Sequence, residues 1–234
     1  MSVERKLTDQ DIFPLSEEDK HRLEEVDVEQ DEFLFWEGDR AKDLFIVTEG
    51  RFALQKYSSH NDDSENHQRN VEVATLTTAL LGPGDIIGLE GLLGKYSASA
   101  VADEPSKVIK LPMDVVLPII QKDAHVAILV GKFLAKEVKH AEDNILEQGY
   151  NNVPKKVASA LLKYYRFADD SGRLPVIHEQ IAQVAGTARS NVTKTITNFA
   201  KRGYIQRPPG NKQTTQIEDP TIVATKFRLP IPRR

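Results

Sequence analysis

The chain of 234 residues contains no cysteine. That absence removes disulfides, thiol redox switching and every cysteine-ligated zinc or iron–sulfur site. Long apolar runs are missing too. None approaches the roughly 18 residues of a membrane-spanning helix, and the opening MSVERKLTDQ lacks the apolar core of a secretion signal. A soluble, cytoplasmic protein without a membrane partner is expected. Tryptophan occurs once and methionine twice, yet hydrophobic residues make up 40% of the chain. That is enough for a core, and it excludes wholesale disorder.

Charge is unevenly placed. Residues 1–152 hold 16 Lys/Arg against 30 Asp/Glu, whereas residues 153–234 hold 15 against 5. Such asymmetry points to a nucleic-acid partner for the basic part. A solvated surface with clustered charge is the alternative, and motifs must decide.

The acidic part reads as short strands. EFLFWEG, DLFIVTEGRFALQKYS, VEVATLTTALLGPGDIIGLEGLLG, SASAVA and KVIKLP are β-branched or aromatic runs bounded by Gly, Pro or Asp turns. Preceded by a helix in SEEDKHRLEEV, they predict a sandwich or barrel over residues 1–113. The loop HNDDSENHQRN offers His60, His67, Asp62, Asp63 and Glu65 to a metal, but in no known ligand spacing. No metal site is expected.

From 114 to 148 the pattern turns helical. Ala127, Gly131, Leu134, Val138, Ala141 and Ile145 alternate spacings of four and three, the seam of a coiled coil. Val126, Ile128, Val130 and Phe133 lie off this seam and are expected to cover the barrel, leaving the seam for a second copy. Burial of the seam on the barrel itself is the competing reading. QGYNNVP then breaks the helix, and residues 149–154 read as a hinge.

Residues 155–234 form the third part. PKKVASALLKYYRFA starts with a proline suited to a first helical turn and shows Val157, Leu161, Tyr164 and Ala168 on one face. HEQIAQVAGTARSNVTKTITNFAKRG reads as two helices around Gly186, a helix-turn-helix. Val192, Ile196 and Phe199 share the buried face of the second helix, which leaves Arg189, Ser190, Thr193, Lys194 and Thr197 outside. No acid lies between Val184 and Phe199, as a face meeting phosphates and base edges requires. His178 and Gln180 stand at the first helix's positive end, where contact with the DNA backbone is expected. Two strands around PPGN predict a wing with Arg207 and Lys212 at its tip. A helical hairpin used only for packing would explain the apolar positions but neither the charge nor the wing. Double-stranded DNA is the expected partner.

In this order, GDIIGLEGLL, YNNVPKKVASALL and GTARSNVTKTI resemble the bacterial Crp/Fnr family of cyclic-AMP receptor protein and fumarate–nitrate-reduction regulators, over roughly residues 12–220. The resemblance implies an α+β chain: a cyclic-nucleotide-binding-like sensor β-barrel (a double-stranded β-helix, or jelly roll) over residues 1–113, a long dimerisation helix and a C-terminal winged helix-turn-helix. It further implies a homodimer on a near-palindromic operator, with RNA polymerase as a partner. Arg189 and Lys194 fall on the family's two recognition arginines, and Ser190 stands where a glutamate is usual. In cyclic-AMP-binding members a glutamate after the barrel glycine holds the ribose and an Arg-Ser pair the phosphate. Here Leu89 follows Gly88, Glu90 comes one place late, and Tyr96 precedes Ser97. Cyclic AMP bound in the usual way is therefore not expected, and no cofactor is predicted.

The expected function is DNA-binding transcription regulation, with an unidentified effector or none. Two alternatives are a cyclic-nucleotide-binding module acting on a protein partner and a haem-based sensor. A metal-dependent enzyme on a cupin-like barrel would need His and carboxylate ligands on inward strand positions. The barrel histidines lie in the polar loop, so no enzyme is expected.

Overall fold

Short strands of the predicted kind pair into two antiparallel sheets. The computed structural model describes residues 13–58, 74–150, 152–174, 176–206 and 215–231. Helix α1 (Glu17–Lys20) begins where Ser16 Oγ accepts from the Asp19 N–H. The strands are β1 (Glu24–Val28), β2 (Phe33–Phe35), β3 (Asp43–Glu49), β4 (Phe52–Ser58), β5 (Ala74–Leu81), β6 (Ile86–Ile87), β7 (Ser99–Ala102) and β8 (Ser106–Pro112). One four-stranded sheet has the order β1-β8-β3-β6 and the other β2-β7-β4-β5.

Strand β3 shows how the layers arise. Its side chains alternate, so Phe45 and Val47 enter the core between the sheets with Phe35, Phe52, Leu54, Ala100 and Val108. Leu44 and Ile46 face the other way, into a second core with Leu89, Leu111 and Val116. A strand covered on both faces must be apolar throughout, which is why DLFIV reads as an unbroken run. At the tip of β3–β4, Arg51 is fully buried with Nε 2.6 Å from Asp103 Oδ2 and Nη2 3.3 Å from Glu104 Oε2.

Three expectations are corrected. The run through GLEGLLG is not strand: Gly88, at φ 90°, turns β6 into a 3-10 turn at Leu89–Leu93. The single helix expected over 114–148 is two helices, α2 (Met113–Lys122) and α3 (Ala124–Gln148). Asp123 between them is extended, and its carboxylate accepts from the His125 N–H at 2.8 Å and the Val126 N–H at 3.3 Å. It thereby satisfies the first donors of α3 as a cap does. On α3, Val126 and Val130 are buried in the second core, and Phe133 and Leu134 pack against it. Ile128, expected to join them, is instead exposed.

Beyond Gln148, α4 (Val153–Tyr165) carries Pro154 in its first turn, and Asn152 Oδ1 accepts from the Lys155 N–H at 3.3 Å. Strand β9 (Arg173–Leu174), α5 (His178–Ala185), α6 (Arg189–Lys201), β10 (Thr215–Gln216) and α7 (Pro220–Phe227) follow. Val157, Leu161 and Tyr164 of α4 are buried, as are Val192, Ile196 and Phe199 of α6. The sheet of the wing recruits an unforeseen partner, since β10 pairs with β9 and Gln216 also bridges Gln206. Arg207 and Lys212, like the polar loop of His60 and His67, lie outside the described residues.

By contact, the chain divides into two compact units, Met1–Lys56 with Thr78–Glu142 and Tyr57–Thr77 with Asp143–Arg234. The division falls within α3. Among the described residues, no helix is long and apolar enough to cross a membrane.

Candidate nucleic-acid interface and sensor pocket

The turn of the helix-turn-helix rests on Gly186. It caps α5 in the left-handed conformation (φ 58°, ψ 49°), and its N–H donates to the Ala182 carbonyl. A side chain at this φ would strain the backbone. Thr187 N also donates to Ala182 O, at 3.1 Å, which closes the turn so that α6 begins at Arg189. Burial of Val192, Thr195, Ile196 and Phe199 then fixes the rotation of α6 about its axis.

That rotation leaves Arg189, Ser190, Thr193 and Lys194 exposed and Thr197 half-buried. The first turn of α6 holds no acidic side chain, and unpaired N–H groups at a helix start favour anions. The face thus offers a guanidinium, an ammonium and three hydroxyls around a positive helix end.

The structure places His178 and Gln180 differently from the expectation. They are 8% and 9% exposed, so neither is presented to a DNA backbone. Gln180 Oε1 accepts from the Ile177 N–H at 2.9 Å, the third residue of the helix serving its own N-terminus. His178 Nδ1 lies 3.0 Å from Thr193 Oγ1, joining α5 to the outer face of α6. Sequence reasoning also passed over Asn191, whose Nδ2 donates to Thr187 Oγ1 at 3.2 Å. Their spacing of one helical turn was the available signal.

In the sheet domain the expected pocket residues part company. Leu89 is fully buried in the core beneath α2 and α3. Glu90 is half-buried; burial pushes its carboxyl above the usual range, opposed by hydrogen bonds from backbone N–H groups of Glu90 and Ser97. Among the described residues, its buried Oε1 has no hydrogen-bond partner. Tyr96 fills space between the sheets. Its ring stacks on Phe35 at 3.5 Å and 12°, and its hydroxyl donates to Asp43 O at 2.7 Å while accepting from the Asp43 N–H at 3.3 Å. Ser97 is exposed. Glu137 of α3 is also half-buried, and desolvation, with the like charges of Glu90 and then Asp85, pushes its carboxyl up to about 7. Lys136 Nζ pairs with Asp85 Oδ1 at 2.7 Å.

The chain thus holds a two-sheet domain and a helix-turn-helix whose outer face is free of acids. Residues 25–123 match the cyclic nucleotide-binding domain, and residues 155–221 match the Crp-like helix-turn-helix domain. The cyclic AMP receptor protein of Thermus thermophilus is 29% identical over 188 residues, covering 78% of this chain and 80% of that one. A CRP-like cAMP-activated global transcriptional regulator of Mycobacterium tuberculosis is 25% identical over 193 residues, covering 79% and 81%. The structure of FixK2 from Bradyrhizobium japonicum superposes with a TM-score of 0.73 at 21% identity, over 87% of this chain and 96% of that one. The chain belongs to the Crp/Fnr family of transcription regulators. The Mycobacterium tuberculosis relative is named as a transcriptional regulator.

Proposed function

We propose that the chain acts as a homodimer that reads a near-palindromic DNA site with α6 and regulates transcription there, with RNA polymerase as its partner. One observation carries the reading: α6 buries Val192, Ile196 and Phe199 and turns Arg189, Ser190, Thr193 and Lys194 outward on a face without acids. Arg189 suits a guanine edge and Lys194 a guanine or a phosphate. Arg207 and Lys212 add phosphate contacts from the wing. Pairing of two copies is supported by the seam of α3, where Ala127, Gly131, Val138, Ala141 and Ile145 stand exposed and Leu134 partly so. Residues 1–113 would sense, 114–148 pair, 149–154 hinge and 155–234 bind DNA.

The sensor domain takes an unidentified effector or none. Names of relatives speak for cyclic AMP, but Tyr96 speaks against the usual mode. A ring stacked on Phe35 with a saturated hydroxyl supplies no guanidinium for a cyclic phosphate.

Fluorescence anisotropy on selected genomic fragments tests the proposal. Log affinity should fall steeply with log salt. Arg189→Ala should lose about 1–3 kcal/mol of specificity, whereas Lys212→Ala should weaken all sequences alike. Salt-insensitive binding, or Arg189→Ala with unaltered preference, refutes it.

A further inference from the structure

On α6 the Thr193 hydroxyl lies between two polar groups, Arg189 O at 3.1 Å and His178 Nδ1 at 3.0 Å, before DNA arrives. Resting on the DNA-reading role above, we infer that His178 and the Arg189 carbonyl leave Thr193 better placed to accept from a base than to donate to one, so that this position favours an exposed amino group, on adenine or cytosine.

A threonine hydroxyl has one proton and two lone pairs. Thr193 Oγ1 lies 3.1 Å from Arg189 O, one turn back, and 3.0 Å from His178 Nδ1. Two proton arrangements satisfy this geometry. In one, Nδ1–H donates to Oγ1 and Oγ1 donates to the carbonyl. In the other, Oγ1 donates to a bare Nδ1. In both, the proton already has an acceptor that a base acceptor must displace, whereas a base donor finds an open lone pair; a charged imidazolium enforces the first. A back-bond to the carbonyl alone would be weak and readily exchanged for a base. The second contact comes from a side chain 8% exposed, shielded from water and anchored on another helix. It fixes the rotamer, and His178 is therefore a positioning residue.

What remains on the exposed side of Thr193 is an acceptor and a methyl group. In the major groove adenine N6 and cytosine N4 are donors, whereas guanine O6 and N7 and thymine O4 are acceptors that would face an oxygen lone pair. One turn on, the Thr197 hydroxyl donates back to Thr193 O, at 2.8 Å. Hence α6 divides its chemistry: Arg189 and Lys194 donate to guanine, and Thr193 accepts from an amino-bearing base beside it.

The test is selection of bound duplexes from a random pool by the full chain and by Thr193→Val, followed by anisotropy on analogue duplexes. At the position whose preference Thr193→Val relaxes, the wild type should select adenine or cytosine. Removing that amine (purine for adenine, 2-pyrimidinone for cytosine) should weaken wild-type binding about 3- to 10-fold and leave Thr193→Val unchanged. His178→Ala should relax the same position, and His178→Asn, which keeps a donor near Nδ1, should restore it. Selection of guanine or thymine there overturns the inference, as do equal analogue penalties in both proteins or an unmoved preference in Thr193→Val. Absence of any Arg189-dependent selection overturns the DNA-reading role itself.

Discussion

Replacing Glu137 by glutamine should stabilise the protein at alkaline pH and leave it unaltered in acid. The carboxyl titrates at about 7 in the fold against 4.5 in the unfolded chain, because α3 holds it half-buried near Glu90 and Asp85 with Lys136 as a partial counterweight. A raised folded value means that the native state keeps its proton longer than the unfolded state. Stability from this site is thus fully present below about pH 4.5 and is lost as pH rises through 7. At about 1.4 kcal/mol per pH unit the full gap sets a ceiling near 3 kcal/mol. Solvent screening of a partly open side chain reduces this to about 1–2 kcal/mol. Glutamine is uncharged at every pH, so Glu137→Gln should gain that amount at pH 8 in urea unfolding and nothing at pH 4. Parallel stability curves for the two proteins across pH 4–8 would refute the reasoning.

Other substitutions probe separate elements. Gly172→Ala sets a Cβ against the Ile217 carbonyl at a φ of 77°, and should cost about 2–4 kcal/mol in the melting of the C-terminal part; an unmoved transition contradicts this. Tyr96→Phe keeps the stack on Phe35 but strands Asp43 N and O, costing about 1–2 kcal/mol by urea unfolding. Loss of DNA binding without loss of stability would show that the hydroxyl does something else. Val138→Asp places two carboxylates on the proposed seam where the wild-type side chain is 59% exposed. Losing burial in both copies removes about 3 kcal/mol, roughly a hundredfold in dimer affinity by sedimentation equilibrium; unchanged dimerisation rejects the seam.

Elements with a local pattern were readable in advance. Gly186 and the spacing of Val192, Ile196 and Phe199 specify a turn and a buried face, and the outward side of α6 follows by geometry. The break at Asp123 carries no Gly or Pro signal; it depends on a carboxylate capping the helix after it. Gln180 sits where a capping box places glutamine, yet polar side chains near a helix start also suit DNA contact, and only packing separates the two uses. Tyr96 finds its hydrogen bonds on Asp43, far along the chain, where no periodicity reaches. His178 meets Thr193 only once α5 and α6 have crossed.

Hydroxyl-radical footprinting of the protein on its selected duplex most directly tests paired reading of DNA by α6. Two protected half-sites should lie about 34 Å apart on one side of the helix, with two chains per duplex and loss of both footprints in Arg189→Ala. A single unpaired footprint from one chain, or protection that survives the loss of Arg189, contradicts it.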